Sequence, residues 1–181
     1  MRLLAVAFLA AALAASPGTA SAHPQTISLR QYLASVSWTM RASALRIERV
    51  RMLIDDWTRV GDPPFLGGIP AACSKVRAIQ ADAFARIHPP PRLGTSHGWV
   101  TNSFAQARSG CKAAARFARA AIRAPGQPMS RAEARARREL PRFADTTLAS
   151  FGRAVHAWRL AVLRYAASLG VSPPRWVKEL G

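Results

Sequence analysis

The chain has 181 residues, with 26 Lys and Arg against 9 Asp and Glu, a formal charge of +17. The length suits one compact domain, and a half-hydrophobic composition excludes a disordered or low-complexity chain. Two cysteines 38 residues apart exclude a CxxC redox motif.

Residues 1–22 read as a secretory signal peptide. Arg2 precedes a 13-residue apolar run, Leu3 to Ala15; Pro17-Gly18 then breaks the helix before the small-x-small site Ala20-Ser21-Ala22. An uncleaved anchor is the rival reading, but so short a run falls well below the roughly 30 Å of a bilayer core. No later segment is long enough to span either. The expected product is an exported, periplasmic or extracellular protein, His23–Gly181, with 25 cations against 9 acids, or +16.

Helix-favouring Ala, Arg and Leu fill the stretches between four Pro/Gly clusters, and strand-like alternation is absent. A first helix is expected over about 28–60. There Leu29, Leu33, Val36, Met40, Ser43, Ile47, Val50, Ile54 and Trp57 step by alternating fours and threes, a bundle seam. A second, about 71–88, carries Cys73, Val76, Ile79, Ala83 and Ile87. A third, about 96–124, repeats the stepping with Val100, Phe104, Ala107, Cys111, Ala114, Ala118 and Ala121. A fourth opens on Ser130-Arg-Ala-Glu133, a capping box, and meets Pro141, which must kink or restart it. Its seam is Leu148, Phe151, Val155, Trp158, Val162, Tyr165 and Leu169.

Short links make these neighbours antiparallel, so the expectation is an all-α, up-down four-helix bundle over 23–170. Residues 171–181 form a C-terminal tail docked through Trp176. Cys73 and Cys111 each lie 15 residues from the turn between the second and third helices. At about 1.5 Å per residue they share a depth, so a disulfide between them is expected. Two buried free thiols are the alternative.

The hairpin Ala85-Arg-Ile-His-Pro-Pro-Pro-Arg-Leu-Gly-Thr-Ser-His97, followed by an Ala-rich helix, resembles one in uncharacterised exported helical proteins of bacteria. Their pattern is a helix, a Pro-Pro turn, Leu, then His three or four residues on. The resemblance spans some forty residues, supports the helical fold and implies no activity.

Charge is the sharpest functional signal. Between Asp82 and Glu133 there is no carboxylate, while Arg108, Lys112, Arg116, Arg119 and Arg123 form a stripe about 22 Å long on the third helix. Arginine's planar fork suits phosphate and carboxylate, so the stripe is read as anion-binding, facing an anionic polymer or lipid headgroups. The bland alternative is a solvated face on a structural or protein-interaction bundle. Nucleic acid is disfavoured, because no recognition motif is present and Phe117 alone interleaves the cations.

Haem or metal carriage is a remote alternative. It would use His23, His88 and His97, or Met40 and His156 as axial ligands, but no metal-ligand spacing occurs, and no cofactor is expected. No GxSxG, Gly-rich phosphate loop or catalytic cysteine is present. Asp55 and Asp56, about 100° apart on a helix, cannot share a site. The seams hold no buried Glu or Gln for arginine-assisted chemistry, so the chain is read as non-catalytic.

Overall fold

The computed structural model describes residues 27–80, 82–122 and 130–180. The expected signal peptide and Arg123 lie outside the described residues. Among these the chain is all-helical, with no strand.

Helix α1 (Leu29–Val60) begins at a complete capping box. Ser28 Oγ accepts from Gln31 N–H at 3.3 Å, and Gln31 Oε1 accepts from Ser28 N–H at 3.0 Å. Two amides that the helix cannot pair are thereby satisfied. The helix stops at Gly61, whose φ of 78° lies in the left-handed region that suits glycine, and whose N–H donates to Trp57 O. Every seam residue anticipated on α1 is buried, together with Tyr32, Thr39 and Leu53.

Helix α2 (Pro63–Arg77) starts eight residues before the expected boundary. Pro63 and Pro64 initiate rather than interrupt it, because amides in the first turn have no intrahelical partner to lose. It also ends earlier, and a one-turn α3 (Asp82–Ala85) follows. Ile79 and Phe84, both fully buried, hold the break against the core. A 3-10 turn at Pro91–Leu93 then leads into α4 (Gly94–Ala121), whose anticipated seam is buried throughout. α4 packs on α2, α5 and α6, which makes it the central helix.

Pro141 does not split the last rod. Helix α5 (Arg131–Phe143) continues through a π-helical turn, Ala144–Leu148, into α6 (Ala149–Ser168). Proline offers no amide to the carbonyl four residues back, and the ladder widens just after it. Leu148, Phe151, Val155, Trp158 and Val162 are buried, but Tyr165 is only half-buried and Leu169 is exposed beyond the helix end. The last stretch folds back as α7 (Arg175–Glu179), burying Val177 and Leu180 and stacking Trp176 on Trp158 at 6.0 Å. The short α3 and α7 make the helix count larger than the four expected.

Neighbouring rods run antiparallel. Cys73 of α2 lies beside Cys111 of α4, and Arg77 beside Arg108. Phe104 packs on Phe151 and Phe117 under Arg135; Tyr32 meets Trp158 and Trp57 meets Arg137.

Candidate functional site

The central position of α4 leaves one face of it in solvent, and the anticipated stripe falls there. Lys112, Arg116 and Arg119 are exposed, and none of them joins an ion pair among the described residues. Arg108 is different. It is half-buried and donates to the Arg77 carbonyl at 2.9 Å, satisfying an orphan acceptor at the end of α2. It therefore ties helices together rather than extending the open stripe.

A second row lies on α5. Arg131, Arg135, Arg138 and Arg142, spaced 4, 3, 4, are all exposed. The Arg135 guanidinium lies over the Phe117 ring of α4 at 5.1 Å, which sets this row beside α4. Glu133, in contrast, is buried, and Arg137 donates to it at 3.2 Å. Ser130 Oγ accepts from Glu133 N–H at 3.1 Å. This buried carboxylate was absent from the seams because its position caps a helix rather than facing the bundle axis.

Cys73 and Cys111 do meet, 3.1 Å apart and fully buried, but they are unbonded, which corrects the disulfide expected from their depth. Equal depth brings two side chains together without settling their oxidation state. The hydrogen bond with Cys111, reinforced by burial, pushes the Cys73 thiol far above the ordinary range. As a thiol Cys73 is protonated and not nucleophilic.

A polar chain runs through the opposite end of the core. Trp158 Nε1–H donates to Tyr32 Oη at 2.8 Å, Tyr32 Oη lies 2.9 Å from His97 Nδ1, and His97 Nε2 lies 3.1 Å from the Phe84 carbonyl. Only one proton arrangement satisfies all of it. A carbonyl only accepts, so Nε2 carries the hydrogen, Nδ1 accepts, and Tyr32 O–H donates. Burial lowers the His97 pKa, a shift partly opposed by the Phe84 bond, and burial raises that of Tyr32 to about 12. Both groups are thus held neutral. His97, weighed from the sequence as a metal ligand, is instead the node of this network.

Its two nitrogens are engaged, so His97 cannot join exposed His88 on a metal. No group of three His, Cys, Asp or Glu able to hold an ion occurs among the described residues. Met40 is fully buried while His156 is exposed, so the axial pair imagined for haem does not form.

A feature with no counterpart in the sequence reading is a groove of about 760 Å³ between α1 and α6, closed at one end by α7. Its floor includes Ile47, Phe151 and Val155, and Arg41, Glu48 and Arg51 stand on the α1 side. Small residues signal it: Ala44, Ala149 and Gly152 line the space that larger side chains would fill. No family model, curated protein or solved structure matches the chain.

Proposed function

We propose that this chain is an exported, non-catalytic binding protein that presents the basic face of α4 and α5 to the phosphate groups of an anionic polymer or lipid surface. The observation that carries the reading is the exposure of Lys112, Arg116 and Arg119 with no ion pair among the described residues, beside the arginine row of α5. The first 22 residues support export. In an oxidising compartment the adjacent Cys73 and Cys111 would close the expected disulfide, stapling the second and third of four main helical rods. That bond adds roughly 2–4 kcal/mol, and thiol titration of the unfolded, unreduced protein detects it as a loss of both free thiols.

The test is binding of the purified protein to polyphosphate and to anionic vesicles over a salt series, beside Arg116→Glu/Arg119→Glu. Phosphate contacts release counterions, so each one lost flattens the log–log salt slope by about 0.7–0.9. The double variant is expected to flatten it by at least about 1.4. Coincident slopes would overturn the reading. They would favour the second one, a protein-interaction bundle, to which the exposed Trp38, Leu45 and Met52, seven residues apart along α1, give specific support.

A further inference from the structure

The groove between α1 and α6 plays no part in that reading. We propose that it binds a single-chain amphiphile with one anionic head, a long-chain carboxylate, in monomeric form.

The groove exists because Ala44 on α1 and Ala149 and Gly152 on α6 are too small to bridge the two helices. Between its charged rim residues every lining side chain is apolar or aromatic: Phe151 and Val155 lie beneath, and Trp176 and Leu180 of the C-terminal segment close one end. An alkyl body asks for no hydrogen-bond partner, and this floor offers little else. Leu45 stands on the rim 74% exposed, so a chain laid in the groove would withdraw it from water. The volume falls within the roughly 300–1,000 Å³ of small-molecule sites. From Arg41 to Arg51 the trough runs about 15 Å.

Charge on the rim selects the head group. Glu48 is held by Arg51 at 2.6 Å, and Arg51 also reaches Asp55 at 3.0 Å. The Arg51 guanidinium bonded to Glu48 holds that carboxylate below its usual pKa, so it stays ionised and committed. Glu179 is held by Arg175. Of the charged residues lining the groove, Arg41 alone makes no ion pair among the described residues. One uncommitted guanidinium at the end of an apolar trough is the complement of a carboxylate on an alkyl chain.

The experiment titrates purified protein with octanoate, dodecanoate and hexadecanoate below their aggregation concentrations. It reads heat and the tryptophan fluorescence to which Trp176 contributes. One-to-one binding is expected, tightening by up to about fourfold per methylene until the trough is full. A Cβ at Gly152 meets nothing within 4 Å, so Gly152→Phe can occupy the groove without a backbone clash. It should weaken hexadecanoate at least tenfold with helical content and Tm unchanged. Arg41→Glu should weaken hexadecanoate about tenfold and leave hexadecanol as it was. Absence of stoichiometric binding by the folded protein overturns the proposal, as does wild-type affinity in Gly152→Phe. Loss of binding in Arg116→Glu/Arg119→Glu, or binding to vesicles alone, would also overturn it and move the interaction to the basic face. Polyphosphate binding, measured on the same variants, reports on that face independently.

Discussion

At the end of the bundle where α1 begins, Tyr32, Phe84, His97 and Trp158 fill the core as large rings, joined by directed hydrogen bonds. Toward the end where α4 finishes, the positions that α4 and α5 bury are largely alanines, Ala107, Ala114, Ala118, Ala121 and Ala136, with two small thiols beside them and Trp57, Leu66 and Leu140 as the larger apolar groups. Rings with polar tips lock one register, because any slip strands a buried donor or acceptor. Alanines lock little by direction, but they let backbones approach closely. α4 and α5 can therefore lie side by side with Lys112, Arg116 and Arg119 of one and Arg131, Arg135, Arg138 and Arg142 of the other turned outward. The ring end holds its register through buried directed hydrogen bonds, and the stripe end holds it mainly by close contact, with the Arg108 bond to the Arg77 carbonyl tying α4 to α2.

Removing one hydroxyl should expose the difference most strongly. Tyr32→Phe leaves Trp158 Nε1–H and His97 Nδ1 without partners in the core. At about 1–3 kcal/mol for each such group, it should cost roughly 2–6 kcal/mol, read by urea unfolding. A loss below about 1 kcal/mol would mean the ring end, too, is held by packing.

The alanine end has its own sensitive point at Gly110. A Cβ there would stand 2.3 Å from the Phe143 ring, so something must shift. Overpacking costs about 1–3 kcal/mol, and the gain in helix propensity returns about 1 kcal/mol. Gly110→Ala alone should thus lose about 1 kcal/mol. In a Phe143→Ala background the same change should stabilise by about 1 kcal/mol, so the double-mutant cycle measures the contact. Additive effects would show that the close approach carries no energy.

The smallest expected effect is a pH slope. His97 has a lowered pKa in the fold, so below about pH 6.5 the unfolded chain binds the proton first and stability falls with pH. Tyr32 mirrors this on the alkaline side, where its folded pKa of about 12 makes stability fall as pH rises above about 10. His97→Gln should flatten the acid limb and leave the alkaline one. An unchanged acid limb would assign it to the carboxylates instead.

Much of the architecture was legible before any contact was known. Ser130 marked a helix start, and the four-three stepping picked the buried faces of α1 and α4 residue by residue. The shared depth of Cys73 and Cys111 foretold their meeting, but the disulfide expected from it is not formed in the structure. Pro63 and Pro64 misled, since proline reads as a breaker wherever it falls, yet starts a helix at its first positions. Lys112, Arg116 and Arg119 proved exposed as the stripe required, while Arg108 was drawn to a carbonyl on another helix.

Inward faces depend on residues within a turn or two of each other, so the amino-acid order alone specified those of α1 and α4 here. The Tyr32–His97–Trp158 chain joins residues 65 and 126 apart, and the groove is a volume left over when side chains of three helices fail to meet. Both depend on how far each rod slides and turns against its neighbours. Only the packing of the whole chain sets those displacements.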